Sequence, residues 1–343
     1  MSSFWKPSRK TDISFFFYLL CFSLVLIVCL AVYVLHNSNS ETAEKQLKLE
    51  RDSLVSRVYQ PRSDTLLTKE VDISAGTMWD TTLQYFRSRS LLTGSDAVQL
   101  KWSHAVNSRN ALAQALSMVW AVIVSSGPSH MIEADVIMRD HDPMEPIMAH
   151  PPDTDSDITL KEWLEKVKMT SKGIKLDFKS LEAVSPSLAL LEDLLAEPDR
   201  PLWINADVLS GPSGQTAPVD FRAFLSLVSD LPAQSVLSLG WTTGWTVGTN
   251  NPGYSWDMVH AMEEKSRDLK QPVTFPVRAA LLAQSFSQLS WLLKQSDRYT
   301  LTVWTGQHDE FAPQDLKLYR KHFDVSRIYY DLPNSQTAEL LMS

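Results

Sequence analysis

The segment Gly173-Ile174-Lys175-Leu176-Asp177-Phe178-Lys179 decides the fold of this chain. Side chains alternate between the two faces of a strand, so Lys175, Asp177 and Lys179 share one face and apolar side chains take the other. This arrangement reverses that of an ordinary packed strand. It predicts a strand whose apolar face packs on helices and whose charged face lines a site.

The preceding strand candidate has the same pattern, with Glu133 and Asp135 on one face between apolar neighbours. Together with Asp177 they would place three carboxylates in one interior, where they repel unless cations compensate them. Carboxylate-only ligands favour Mg²⁺ or Ca²⁺. The alternative is a buried ionic lattice without metal, in which Lys175 and Lys179 balance the acids.

Outward from these two segments, apolar runs of strand length alternate with helical patterns from about residue 97 onward. The eight strand candidates are Ala97–His104, Met131–Ile137, Ile174–Phe178, Leu202–Ala206, Val236–Leu239, Val273–Val277, Thr300–Trp304 and Arg327–Tyr330. The helical stretches are Arg109–Val124, Leu160–Val167, Leu188–Leu195, Asp220–Val228, Asp257–Ser266, Ala279–Leu293 and Pro313–His322. Strands alternating with helices pair in parallel, and eight such units predict an α/β fold of the (β/α)8 TIM-barrel type. An open doubly wound sheet is the alternative, but the Gly-rich turn that usually follows its first strand is absent.

Active sites of such barrels lie at the carboxyl ends of the strands, and polar residues collect there in this sequence. His104 ends the first strand, Asn205 and Asp207 end the fourth, Arg278 follows the sixth and Trp304 ends the seventh. We predict Lys175, Asn205, Arg278 and Trp304 as residues that contact substrate or support the site. Asn205 and Asp207 are equally consistent with capping the loop that follows.

The composition limits the classes of partner. The 343 residues include 32 Lys and Arg against 40 Asp and Glu, a net charge of −8, which argues against nucleic acid as a partner. The two cysteines, Cys21 and Cys29, both lie in the apolar N-terminal run. The rest of the chain therefore has no disulfide framework, no cysteine zinc site and no cysteine nucleophile.

Ile13–Leu35 contains 23 residues without a charged side chain, enough for a transmembrane helix. Lys6, Arg9 and Lys10 precede it, which predicts a cytosolic N-terminus and a single-pass type II protein whose C-terminal domain is extracellular or lumenal. A cleaved signal peptide is the rival interpretation. The predicted divisions are a cytosolic tail (1–12), a signal-anchor (13–35), a stalk (36–90) and a barrel domain (91–335).

Several segments resemble, in order, the phospholipase-C-like phosphodiesterases, which include glycerophosphodiester phosphodiesterases and sphingomyelinase-D-type enzymes. The matching segments are His104–Leu112 for the first histidine, Ile132–Val136 for the strand-2 metal motif, Glu145–His150 for the second histidine, Leu176–Lys179 for Asp-x-Lys, and Val303–Thr305 with Tyr329–Pro333 for the last strands. Glycerophosphodiesterases usually carry Glu-x-Lys where this chain has Asp177 and Lys179.

Within that superfamily the sequence is most similar to the menorin family. The segments that carry this resemblance are Trp102–Ser108, Met131–Val136, Ala149–Pro152 and Gly173–Lys179. The family has membrane-anchored and secreted members, and at least some act outside the cell in complexes with adhesion proteins. The resemblance therefore implies either an enzyme or a non-catalytic extracellular recognition protein with protein partners.

For an enzyme, the resemblance implies cleavage of a phosphodiester or phospholipid-like substrate. Glu133, Asp135 and Asp177 would hold one Mg²⁺ or Ca²⁺, and Lys179 would add positive charge. His104 and His150 would flank the phosphorus, one as base or nucleophile and the other as acid. Which histidine has which role stays open.

An aromatic, glycine-rich segment at residues 240–256 follows the fifth strand candidate and contains three tryptophans and a tyrosine. At the mouth of a barrel it could stack on a substrate or dock a partner. Packing of the segment against itself is the alternative.

Overall fold

A computed structural model describes residues 81–117, 128–191 and 200–341, which lie within one unit, Ile73–Ser343. The strands in the described residues are β1 (Trp102–Ser103), β2 (Met131–Met138), β3 (Pro146–Met148), β4 (Gly173–Phe178), β5 (Leu202–Ser210), β6 (Val236–Thr242), β7 (Val273–Arg278), β8 (Tyr299–Trp304) and β9 (Ile328–Asp331). The α-helices there are α1 (Thr81–Ser88), α2 (Arg109–Leu116), α3 (Leu160–Val167), α4 (Val184–Leu190), α5 (Phe221–Val228), α6 (Trp256–Ser266), α7 (Phe286–Lys294), α8 (Pro313–His322) and α9 (Asn334–Leu341).

The sheet has the order β1-β2-β4-β5-β6-β7-β8-β9, and each of these neighbouring pairs is parallel. β3 pairs with β2 in antiparallel orientation. Eight parallel strands alternating with helices form a nearly closed α/β barrel of the TIM type, which confirms the predicted class. Among the described residues, no backbone ladder joins β1 to β9, and this gap is the seam of the barrel.

The alternating strands pack as their patterns predict. Ile132, Ala134 and Val136 of β2 are fully buried in the main hydrophobic cluster, as are Ile174 and Leu176 of β4. The charged residues between them therefore take the opposite face of the sheet. That face is the interior of the barrel.

Helix α3 shows why the helical layer forms at the predicted bounds. Leu160, Trp163, Leu164 and Val167 are buried, at the spacing of one helix face. The Thr159 hydroxyl accepts the Glu162 N–H, and the Glu162 carboxylate accepts the Thr159 N–H. This capping box starts the helix where the sequence predicts it.

The first predicted strand, Ala97–His104, is wrong over most of its length. Ala97–Gln99 is a 3₁₀ turn, because the Asp96 carboxylate accepts the Val98 N–H and fixes a cap there. Only Trp102–Ser103 pairs with β2. Apolar residues are buried in both conformations, so composition did not distinguish them.

Strand β3 is absent from the predicted set. It is three residues long and begins with a proline, so it lacks the alternation that marks a strand. Its register places Met148 beside Val136, and the Ala149 N–H donates to the Asp135 carbonyl at 3.1 Å. This hairpin delivers the next residue, His150, to the mouth of the barrel.

Two other helices differ from their predicted bounds. The predicted helix Ala279–Leu293 is a 3₁₀ turn, Ala279–Leu281, followed by α7, and the Ser285 hydroxyl between them donates to the Leu281 carbonyl. The predicted Leu188–Leu195 is observed as α4, which begins four residues earlier. The ends of this helix and of Arg109–Val124, residues 192–195 and 118–124, lie outside the described residues.

Helix α1 falls in the segment predicted as stalk, but it packs onto the barrel. Leu83 and Phe86 are buried in a cluster with Trp203, and the Trp203 Nε1–H donates to the Thr82 hydroxyl at 2.9 Å. Thr81–Ser88, within the segment predicted as stalk, is therefore part of the barrel domain. Residues 1–80, including the predicted tail, the 13–35 anchor and most of the stalk, lie outside the described residues. None of the described helices combines the length and apolarity needed to cross a bilayer.

Candidate functional site

A cavity of about 390 Å³ opens at the carboxyl ends of the strands. Its lining is mostly polar: His104, Ala105, Asn107, Glu133, Asp135, His150, Lys175, Asp177, Lys179, Asn205, Asp207, Thr216, Thr242, Thr243, Pro276 and Trp304. Nine of the ten predicted site residues contribute to this lining; Arg278 is the exception. The cavity therefore brings together residues that are up to 200 positions apart in sequence.

The three predicted metal ligands meet on β2 and β4. The register places Glu133 beside Lys175 and Asp135 beside Asp177. Each of the three acids is buried, and one oxygen of each lies within 4.8 Å of an oxygen of the other two. Three carboxylates at this separation need a compensating positive charge.

His104 follows β1 and lies at the seam of the barrel. Its Nδ1 is 2.9 Å from Asp331 Oδ2, at the end of β9, and 3.3 Å from Glu133 Oε2. The charge of Asp331, followed by that of Glu133, raises the pKa of the His104 imidazole to about 10 against the lowering effect of desolvation. This imidazole therefore carries a proton at neutral pH.

The chain between β1 and α2 wraps around the acids of β2. Ala105 has a φ of 53°, and this conformation directs its N–H to Glu133 Oε2 at 2.7 Å. The Val106 N–H donates to the Glu133 carbonyl at 2.9 Å. Asn107 donates from Nδ2 to Asp135 Oδ2 at 2.7 Å and accepts the Asp135 N–H at 2.9 Å. Both acids are thus held rigidly by the same short loop.

Lys179 contacts two of the predicted metal ligands. Its Nζ lies 2.7 Å from Asp177 Oδ2 and 3.2 Å from Asp135 Oδ1. The Asn205 Nδ2 donates to the other Asp177 oxygen at 2.7 Å, and the Ser238 hydroxyl donates to Asn205. Every oxygen of Asp135 and Asp177 therefore has a hydrogen-bond partner, although each has a second lone pair for another ligand.

The pKa values of Glu133, Lys179 and Asp207 are all raised, but for different reasons. Burial raises the pKa of Glu133 to about 6, against the lowering effect of His104. Burial would lower the pKa of Lys179, but Asp177 and Asp135 outweigh it and raise that pKa. Burial and the charge of Asp177 raise the pKa of Asp207 to about 7. The ionised forms of Glu133 and Asp207 are therefore less favoured than those of ordinary carboxylates, because burial and the neighbouring acids outweigh the nearby cations.

The balance of charges tests whether a divalent cation fits. Five carboxylates (Glu133, Asp135, Asp177, Asp207 and Asp331) face two ammonium groups (Lys175 and Lys179) and one imidazolium (His104). With all of them ionised, the excess is two negative charges. Three of these carboxylates are close enough to share an ion, and oxygen ligands suit Mg²⁺ or Ca²⁺. The residues present fit such an ion.

The remaining predicted residues occupy different places. His150 lines the cavity and is exposed, and its Nδ1 lies 2.6 Å from the Pro151 carbonyl. Trp304 also lines the cavity. Arg278 is committed to the Asp309 carboxylate through two bonds of 2.7 and 2.6 Å, and its guanidinium lies 5.2 Å from the Trp304 ring centre. It supports the cavity wall from outside.

Three residues that the sequence-based set of site residues omits belong to the site: Asn107, Asp207 and Asp331. Asp207 lies two positions after Asn205 on β5, so strand alternation could have placed both on the inner face. Asp331 ends the last strand candidate, which is the position where barrel sites collect functional groups. Asn107 carried no such signal, because it lies in an irregular loop.

The aromatic segment 240–256 is buried at residues 240–242 and at Tyr254, whereas residues 246–250 between them are exposed. Trp241 and Tyr254 are buried, and their ring centres are 5.0 Å apart. The Tyr254 hydroxyl accepts the Arg278 N–H at 3.0 Å. Val247 and Trp256 remain exposed. Self-packing, the alternative interpretation of this segment, is correct for these two buried rings.

Fold and site together define an α/β barrel protein with an acidic, histidine-flanked cavity at the carboxyl ends of its strands. A family model described as "Menorin N-terminal domain" matches residues 96–337. The chain is also 47% identical over 266 residues to "Protein FAM151B" of Homo sapiens, an alignment covering 77% of this chain and 93% of that protein. The chain belongs to the menorin family. This confirms the resemblance seen in the sequence at the family level.

Proposed function

We propose that the cavity is a metal-dependent phosphodiester-cleaving site of the phospholipase-C-like type. The observation that carries this proposal is the convergence of two imidazoles and three buried carboxylates in one cavity. An acid–base pair beside a cluster of oxygen ligands can support metal-assisted cleavage of a phosphodiester. Glu133, Asp135 and Asp177 would hold Mg²⁺ or Ca²⁺, which supplies positive charge to the phosphoryl oxygens.

The hydrogen bonds of the two histidines suggest a division of roles. Nδ1 of His150 donates to the Pro151 carbonyl, which leaves Nε2 with a lone pair. Nδ1 of His104 donates to Asp331, and the protonated ring carries a second N–H on Nε2. His150 therefore accepts the proton of the attacking hydroxyl as its oxygen bonds to phosphorus. His104 gives a proton to the leaving oxygen as its bond to phosphorus breaks.

Lys179 and Asn205 hold two of the acids in place during this reaction. Lys179 contacts Asp135 and Asp177, and Asn205 contacts Asp177. These contacts restrain Asp135 and Asp177, two of the proposed metal ligands, before an ion or a substrate binds. The two side chains therefore need not reorganise during the reaction. Lys179 is also close enough to the cavity to interact with a phosphoryl oxygen, since it is part of the lining.

We propose a phospholipid-like phosphodiester as the substrate and an extracellular or lumenal location. The apolar segment 13–35 would anchor the chain as a type II membrane protein and bring the barrel close to lipid headgroups. The net charge of −8 disfavours nucleic acid as the source of the phosphodiester. The anchor and the substrate can be tested separately.

The second candidate function is non-catalytic recognition of an extracellular protein partner. One observation favours it: Lys179 already supplies an ammonium group to two of the three proposed ligands. A buried ionic network of this kind can be a structural feature without any ion. In that case the barrel would be a scaffold, and removal of the acids would affect stability alone.

Hydrolysis of a panel of glycerophosphodiesters and lysophospholipids, with and without Mg²⁺ or Ca²⁺, tests the enzymatic proposal. We expect metal-dependent release of product by the full-length chain. His104→Ala and His150→Ala should each reduce the rate about a hundredfold or more, the usual contribution of a general acid or base. His308→Ala, at an exposed histidine outside the cavity lining, is the matched control. Full activity in both cavity variants would refute the assignment, and an inactive wild-type chain would favour the recognition function.

A further inference from the structure

The contact between His104 and Asp331 joins the two ends of the barrel. His104 directly follows the two-residue strand β1, and Asp331 is the last residue of β9. Among the described residues, no backbone ladder links these strands. The 2.9 Å bond between His104 Nδ1 and Asp331 Oδ2 thus connects groups 227 positions apart across the seam.

The two partners differ in their access to the cavity. The side chain of Asp331 is 1% exposed, whereas that of His104 is 47% exposed. Asp331 lies behind the imidazole and is not part of the cavity lining, which includes His104. A substrate can therefore reach the imidazole but not the carboxylate.

The buried carboxylate is committed to this one contact. Within the described part of the chain, Asp331 Oδ1 is buried and has no hydrogen-bond partner, so Oδ2 makes the polar contact. Burying a carboxylate in this way is costly unless a charged partner compensates it. His104 is that partner, and its Nδ1 lies closer to Asp331 Oδ2, at 2.9 Å, than to Glu133 Oε2, at 3.3 Å.

We propose that Asp331 is a positioning residue that acts through His104: it holds the Nδ1–H of the imidazole across the barrel seam, so that Nε2 is presented to the cavity. A buried carboxylate that fixes one ring nitrogen determines both the orientation and the tautomer of a histidine. The same bond closes the seam where the backbone does not. The contribution of Asp331 to phosphodiester cleavage rests on the proposed function, whereas its hold on His104 does not.

Nuclear magnetic resonance of the full-length chain labelled with ¹⁵N-histidine tests the contact directly. The chain has eight histidines, and loss of a signal in His104→Gln assigns the one of interest. In the wild type we expect a proton on Nδ1 of His104 that exchanges slowly with water. A ring protonated on Nε2 alone, or a rapidly exchanging Nδ1 proton, would overturn the proposal without any variant of Asp331.

Asp331→Asn should abolish the slow Nδ1 exchange of His104, because the amide is uncharged and can present a donor to the ring. Asp309→Asn is the matched control, since the side chain of Asp309 is also 1% exposed and ion-paired, with Arg278. It removes a buried ion pair of the same kind but should leave the His104 signal unchanged. Loss of the signal in both variants, or in neither, would contradict a specific role of Asp331.

A double-mutant cycle gives a second readout that does not depend on activity. His104→Gln and Asp331→Asn should each shift the equilibrium constant of unfolding. The double variant should shift this constant about tenfold less than the product of the two single shifts, because both substitutions remove the same bond. Additive effects would overturn the proposal.

If the wild type hydrolyses phosphodiesters, Asp331→Asn should lower kcat at least tenfold with little change in KM. Absence of hydrolysis by the wild type would count against the proposed function and would leave the spectroscopic test decisive.

Discussion

The backbone of Ala105 shows how a single residue adapts the chain to the site. Its φ of 53° lies in the left-handed region, where a Cβ atom is unfavourable. In return, its N–H reaches Glu133 at 2.7 Å and helps to hold a buried acid. Sequence patterns could not predict this conformation, because glycine and asparagine are the usual signals for it and alanine is not. Strain of this kind is characteristic of functional sites.

This strain predicts different effects for two small substitutions. Ala105→Gly should change the free energy of unfolding by about 0.5 kcal/mol or less, because the relief of strain offsets the greater entropy of the unfolded chain. Ala105→Val should destabilise by about 2 kcal/mol, since a β-branched residue is more strongly disfavoured at positive φ. Urea unfolding measures both. Equal stability of the two variants would show that the conformation at this position is not strained.

His130, which is not part of the cavity lining, should make the stability of the protein depend on pH. Its Nδ1 accepts the Lys101 N–H at 2.9 Å, and its Nε2 lies 3.2 Å from the Leu91 carbonyl. Burial lowers the pKa of this imidazole to about 4, below the value of an unfolded histidine. Between about pH 6.5 and pH 4 the unfolded chain therefore binds a proton that the folded chain does not. Stability should fall as the pH falls through this window.

His130→Asn tests this prediction, because Asn can accept the same N–H but does not titrate. The free energy of unfolding of the wild type should fall between pH 7 and pH 4. In the variant this fall should be smaller by roughly 1–3 kcal/mol. Denaturant unfolding at several pH values provides the measurement. Parallel pH profiles for the wild type and the variant would rule out His130 as the titrating group.

At the scale of elements, the patterns of β2 and β4 predicted both strands and the face on which their charges lie. The period of two is unambiguous there, because every second residue is apolar and buried. β1 and β3 were mispredicted because a strand of two or three residues has no period to detect. Pairing with β2 stabilises both of them. These short strands nevertheless carry His104 and His150 into the cavity.

The pairing of β5 with β6 predicts that Gly240 is required for the position of Asp207. The two residues are register partners, and a Cβ added to Gly240 would lie 2.2 Å from Asp207 Oδ1. Gly240→Ala should displace this carboxylate and destabilise the protein by about 1–3 kcal/mol. Gly94→Ala is the control, because the nearest atom there is the amide end of the flexible Gln99, at 3.3 Å. Thermal unfolding that is equally unaffected in both variants would contradict the close approach.

At the scale of the whole molecule, eight alternating units were enough to predict the barrel, and the carboxyl ends of its strands were enough to place the cavity. The contact of Asp331 with His104 was not predictable, because it depends on how the barrel closes. The same holds for the pairing of Lys179 with Asp135 and Asp177: the alternation places the three charges on one face, but only coordinates give the separations that decide which of them pair.

Helix α1 covers the end of the barrel opposite the cavity, and this packing leads to a prediction at the scale of the whole molecule. The buried Trp203 Nε1–H donates to the hydroxyl of Thr82, which is 2% exposed. Thr82→Val should leave this donor unsatisfied and cost about 1–3 kcal/mol. Thr81→Val changes the adjacent residue, whose longer bond to the Gln234 carbonyl is exposed, and should cost less than about 0.5 kcal/mol. Similar losses in the two variants would show that α1 does not depend on this bond.

Calorimetric titration of the full-length chain with Mg²⁺ and Ca²⁺ tests the central claim most directly, namely that the acids of β2 and β4 share one divalent ion. We predict saturable binding of one ion per chain, abolished by Glu133→Gln and by Asp177→Asn. Asp309→Asn, which removes a buried carboxylate outside the cavity lining, should retain it. Absence of saturable binding by the folded wild-type chain, or binding that persists when Glu133 and Asp177 are both replaced, would contradict the account.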